Sequence, residues 1–141
     1  MTLTTSASCA EAAKEVNARI AGQYEDWYDP HNNGTYSLLS DDTGSGGLLQ
    51  LERVTGNKKY TDKINFSFSD SGGGCSIDAC SQSQVTSIAD YSTNYCNSRV
   101  LYCGAADGCK GSPGSSDLGA VETKVSPSLG ASADPSACLV V

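Results

Sequence analysis

A chain of 141 residues with 16 acidic and 9 basic side chains, a formal charge of −7 and a pI near 4.4 has room for one domain and the wrong sign for a phosphate-backbone binder. Nucleic acid is therefore excluded as an expected partner, and no run approaches the ~20 apolar residues that a transmembrane helix needs. Leu, Ile, Val and Phe make up roughly a sixth of the chain, too little for apolar burial alone to carry folding, whereas seven cysteines offer crosslinks and point to an oxidising, extracytosolic compartment.

Residues 1–8 have neither the basic start nor the apolar run of a secretory leader. They read as an N-terminal extension, a mature start carrying an added Met. Ser8 to about Tyr24 predicts a helix: Ser8 and Glu11 have capping-box spacing, and Val16, Ile20 and Tyr24 recur on one face above Ala12 and Ala13. Trp27 and Tyr28 continue the apolar path until Asp29-Pro30-His31-Asn32-Asn33-Gly34 breaks it with turn residues. Three strands are then expected, Thr35 to Ser40, Leu48 to Thr55 and Tyr60 to Ser69, joined by hairpin connections. In the third, Ile64, Phe66 and Phe68 alternate with Lys63, Asn65 and Ser67, one face toward the core and one wet.

Ser71 to Gly74 reads as the end of this meander. Ser81 to Gln84 reads as the start of a second helix with Val85, Ile88, Ala89 and Ser92 inward, stopped at Asn94 to Asn97 and followed by a short strand from Arg99 to Cys103. Beyond Gly104 the composition turns to Gly, Ser, Ala and Pro, with one β-like island from Val121 to Val125. The expected fold class is α+β: two helices packed on a small antiparallel sheet, disulfide-stapled, in a single domain over 9–104. A long irregular tail over 105–141 packs on it or trails from it.

The segment from Gly74-Cys75-Ser76-Ile77-Asp78-Ala79-Cys80 through Asp90 to Asn97 and on to Leu101-Tyr102-Cys103, preceded by Asn33-Gly34-Thr35-Tyr36 and Phe66-Ser67-Phe68, resembles small secreted cysteine-rich ascomycete proteins. Among these, it is similar to the hypersensitive-response-inducing elicitors of the rice blast fungus kind. The resemblance spans roughly residues 9–104. It implies a secreted, extracellular elicitor or effector, without enzymatic activity or cofactor, that meets a plant cell-surface component and triggers local cell death and defence. Residues 105–141 carry no matching motif.

Disulfide candidates are Cys9, Cys75, Cys80, Cys96, Cys103, Cys109 and Cys138. Seven imply three intramolecular bridges and one thiol, so a monomer is expected, with a disulfide-linked dimer as the other use of the odd cysteine. Cys9 is a candidate partner of Cys75 or Cys80, and Cys96 and Cys103 flank a reversal. An unbroken helix over 82–94 would hold Cys80 and Cys96 about 20 Å apart, beyond disulfide reach. Cys75-x4-Cys80 and Cys96-x6-Cys103 lack the two-residue spacing of structural zinc sites, so no metal is expected. The C-terminal Cys138-Leu139-Val140-Val141 has the letters of a prenylation box, a cytosolic modification at odds with secretion.

A catalytic reading finds little to assemble. His31 is the only histidine and sits in a turn, where solvent exposure is the expectation. Guanyl-specific ribonuclease chemistry draws on more than one His, and Glu52 and Arg53, adjacent on a strand, point to opposite faces. No Gly-x-Ser-x-Gly nucleophile motif is present, and Asp41-Asp42 and Glu25-Asp26, which might serve glycoside cleavage, read as acidic turns. A small hydrolase, ribonuclease- or glycosidase-like, and a cell-wall carbohydrate-binding module remain the alternatives to an elicitor. Asn33 and Asn65 meet the N-glycosylation rule, and Trp27, Tyr28 and Tyr36 are candidates for an exposed recognition patch.

Overall fold

The computed structural model describes residues 1–22, 27–44, 47–84, 92–111, 117–127 and 131–139. It is α+β, with strands β1 (Thr2–Thr5), β2 (Thr35–Asp41), β3 (Leu48–Val54), β4 (Thr61–Ser71), β5 (Gly74–Ser83) and β6 (Val121–Lys124), and helices α1 (Cys9–Gly22) and α2 (Thr93–Arg99). All six strands join one antiparallel sheet in the order β2-β3-β4-β5-β1-β6.

The pattern of α1 is realised as far as Ile20, and Tyr24 lies outside the described residues. The Glu11 amide donates to Ser8 Oγ at 3.2 Å and Glu11 Oε2 accepts from the Ser8 amide at 2.9 Å, while Ala12, Ala13, Val16 and Ile20 are buried. Glu15 and Arg19 are also buried, paired at 2.7 Å, and Arg19 Nη1 reaches across to the Val100 carbonyl at 2.8 Å. In the sheet, period-2 alternation gathers the apolar side chains on one face. Register aligns Leu49, Phe66 and Ala79 across β3, β4 and β5, and Phe68, Ile77 and Leu3 across β4, β5 and β1, and all six are buried. The two helices contact strands of this sheet. The outward positions of the central strands carry Ser, Asn, Asp and Lys.

Four expectations change. Residues 1–8 do not stand outside the domain, because Thr2–Thr5 lies between β5 and β6, with Leu3 fully buried and Thr2 and Thr4 turned outward. Gly72 and Gly73 do not end the meander. Both take positive φ, 56° and 96°, the signs a type I′ turn requires, and they fold β5 back along β4 from Ser71 to Asp62. Pairing with the eleven-residue β4 then holds Ser81 to Ser83 in a strand, so the predicted helix cannot begin there; its core positions 85, 88 and 89 lie outside the described residues. The helix that is seen, α2, occupies Thr93–Arg99, where a stop was expected, and Val100 to Tyr102 are buried turn residues instead of a strand. A short apolar run such as Val-Leu-Tyr does not distinguish those outcomes.

The region after Gly104 contributes to the fold at several points. β6 pairs with β1, Leu118 is buried and its carbonyl accepts from Thr5 Oγ1, and a 3-10 turn at Pro135–Leu139 carries buried Cys138. Disulfides join Cys9 to Cys75, Cys96 to Cys138 and Cys103 to Cys109, leaving Cys80 free. The helix-based ground for keeping Cys80 from Cys96 is void, since residue 82 is in a strand; those two are unpaired because Cys96 is taken by Cys138. Among the described residues no helix is long and apolar enough to cross a membrane.

Candidate functional site

One end of the sheet is built around a buried ion pair. Arg53 on β3 points inward, and its Nε and Nη2 donate to Asp29 Oδ2 at 2.9 and 2.6 Å. The same carboxylate accepts the amides of His31 at 2.8 Å and Gly34 at 3.0 Å, and Arg53 Nη2 also donates to the His31 carbonyl. The Asp-Pro-His-Asn-Asn-Gly turn is thus wound around one carboxylate and pinned to β3. Gly34 is required by this approach, since a Cβ there would stand 2.4 Å from the guanidinium. Burial works against the Arg53 charge, but the neighbouring Tyr36, Asp29 and Asp62 outweigh it and hold its pKa above the ordinary value.

His31 is buried, contrary to the expectation of an exposed turn residue. Its Nδ1 lies 2.8 Å from the Ala137 carbonyl and its Nε2 3.3 Å from Thr93 Oγ1. A carbonyl only accepts, so the proton belongs on Nδ1 and Nε2 is left as the acceptor. Both ring nitrogens are thereby engaged in tying the turn to α2 and to the segment that carries Cys138.

The pinned turn lies against the β3–β4 connection. Gly56 packs so closely that a Cβ would meet the Asn32 carbonyl oxygen at 2.1 Å. Tyr28, 54 % exposed, and Asn33 lie on one loop, and Lys58, Lys59 and Tyr60, 41 % exposed, on the other. The two loops together expose two phenols, an amide and two ammonium groups. The three proposed patch aromatics do not share this surface. Trp27 and Tyr36 are core residues, 2 % and 1 % exposed, whose polar ends reach inward to the Lys110 and Asn97 carbonyls, each at 2.9 Å. Only Tyr28 remains outside. Tyr60, Lys58 and Lys59 escaped the sequence reading because nothing in a turn sequence says which distant loop it will touch.

Several other carboxylates are engaged within the fold. Glu122 on β6 accepts from Tyr95 at 2.8 Å and Tyr102 at 2.5 Å and pairs with Arg99, which also reaches Asp107 at 2.9 Å. Burial pushes the Glu122 pKa up, but the hydrogen bonds from Tyr102, Tyr95 and Arg99 more than offset it and hold the carboxyl below its usual range. With its oxygens occupied, it fastens β6 to α2. Asp41 caps its own turn through the Thr43 hydroxyl and amide, which lower its pKa. Glu52 pairs with Lys63 on the sheet face opposite Arg53, as strand alternation requires, and Glu25-Asp26 lies outside the described residues. Asn33 and Asn65 are both exposed. Among the described residues, no three His, Cys, Asp or Glu side chains are placed to hold a metal ion. Cys138 of the prenylation-like box is bonded to Cys96. Comparison of the chain with family models, with curated proteins and with solved structures gives no match.

Proposed function

We propose that this protein is a secreted fungal elicitor or effector that meets a plant cell-surface component and induces hypersensitive cell death and defence, acting as a folded binding surface and not as an enzyme. The observation that carries the reading is that every disulfide takes one partner from the segment 75–103, the same segment whose sequence resembles the secreted ascomycete elicitors. Three bridges and the lack of a membrane-crossing helix among the described residues are compatible with secretion. The corner at Tyr28, Lys58, Lys59 and Tyr60 supplies the recognition surface, because aromatic and cationic side chains held on pinned loops bind with little loss of conformational freedom.

The test is infiltration of leaves with native protein, reduced and alkylated protein, and a Tyr28→Ser/Tyr60→Ser variant. Cell death is expected from the native form alone. Cleavage of RNA or polysaccharide without cell death would replace this reading with a hydrolase, and retention on chitin or glucan without cell death would replace it with a wall-binding module.

A further inference from the structure

The chain carries two glycosylation sequons, Asn33-Gly34-Thr35 and Asn65-Phe66-Ser67. Both asparagines are exposed, but the fold closes around them at different times. A transferase acts on a sequon that can still bend into its cleft, which a segment already hydrogen-bonded into a sheet cannot do. Asn65 sits on β4, the middle strand of a meander, and its register partners Gln50 on β3 and Cys80 on β5 are each 15 positions away. Local hairpins form in about 1–10 μs, whereas a chain grows at about 5–20 residues per second. Three strands with an apolar face, here Leu51, Ile64, Phe66 and Ala79 among others, suffice to hold such pairing. The Asn65 sequon is therefore closed almost as soon as β5 exists. The Asn33 sequon closes late. Its turn is completed by the bonds of His31 to Thr93 and Ala137, 62 and 106 positions further along, so at the same growth rate it waits about 5–20 s for the last of them. In the finished fold Asn33 has a φ of 49°, and its side chain makes no hydrogen bond among the described residues. A sugar on its Nδ2 displaces no partner.

We infer that Asn33 is a site of N-glycosylation and that Asn65 is left bare, an inference that rests on the reading of the chain as secreted. Asn33 Nδ2 attacks the anomeric carbon of a lipid-pyrophosphate-linked oligosaccharide, and an N–C bond forms. The C–O bond to the pyrophosphate breaks, the lipid pyrophosphate leaves with that electron pair, and the proton lost from Nδ2 passes to a base of the transferase. No redox change is involved. The sugar then stands on the turn whose Asn32 carbonyl packs against Gly56, beside the connection that exposes Lys58, Lys59 and Tyr60. It borders the surface proposed above for recognition.

The experiment expresses the full chain behind a cleavable leader in a eukaryotic secretory host. Intact mass is measured on the medium and on the cell-retained fraction, before and after peptide N-glycanase, which leaves Asp where a glycan stood. One glycan per chain is expected, with the conversion mapped to position 33. Asn33→Gln and Thr35→Ala, the second of which keeps the asparagine, should each lack the glycan in both fractions, and Asn65→Gln should carry it as the parent does. A parent chain bare in both fractions, or a glycan at Asn65, would overturn the proposal. Thiol counting on the same denatured material tests the secreted reading separately. One thiol keeps that reading whatever the glycan result, and seven would sink it.

Discussion

Asp29 and Arg53 meet at 2.6 Å with both side chains wholly withdrawn from solvent, and the turn that carries Asn33 is wound around their junction. Removing one member of such a pair strands the other charge in the core, which costs about 3–5 kcal/mol. Asp29→Ala and Arg53→Ala are each expected to lose that much in urea unfolding. The double variant should lose less than the sum, because the second deletion removes the stranded charge.

The bridges differ in the length of chain they close, with sequence separations of 66, 42 and 6 for Cys9–Cys75, Cys96–Cys138 and Cys103–Cys109. Loop-closure entropy ranks them at about 4, 4 and 2 kcal/mol. Paired Cys→Ser variants should fall in Tm in that order, with Cys103/Cys109 the mildest. Thiol counting on the denatured, unreduced protein should find Cys80 as the reactive position. Equal losses from all three pairs would refute the entropic ranking.

Glu122 has its pKa depressed in the folded protein, so the stability it contributes is present above its unfolded value, near 4.3, and is lost as pH falls through the lower folded value. Glu122→Gln should therefore be less stable than the parent at neutral pH. The gap should narrow as pH drops below about 4.3, measured as urea midpoints along a pH series. Glu11 and Asp41, whose carboxyls are also held low, are present in both proteins and cancel in the difference. A gap that stays constant down to acid pH would contradict the assigned network.

Gly56 sets the spacing of the recognition corner. Gly56→Ala places a Cβ against the Asn32 carbonyl and must push the two loops apart, at a cost of about 1–3 kcal/mol typical of overpacking. The protein should remain folded by circular dichroism yet elicit less cell death than the parent. Unaltered elicitation by a variant with displaced loops would move the recognition surface elsewhere.

Much of this fold is written in periodicities that need no tertiary partner. The Ser8/Glu11 cap and the Val16–Ile20 stripe set α1, and the alternation of Ile64, Phe66 and Phe68 sets β4, because each follows from the geometry of a single element. The seven cysteines likewise specify three bridges and a leftover thiol. What the chain does between those landmarks depended on its neighbours. Gly72-Gly73 reads equally as a terminator or a type I′ turn, and only pairing with β4 decides for the turn and carries strand structure through Ser81 to Ser83. Thr2–Thr5 and Val121–Lys124 are four residues each, too short to stand alone, and are strands because β5 offers one an edge and β1 offers the other. His31 and Tyr36 look like surface residues in sequence. They are buried because Ala137, Thr93 and Asn97, all more than 60 positions away, bring them the hydrogen-bond partners that a polar group must have to leave water.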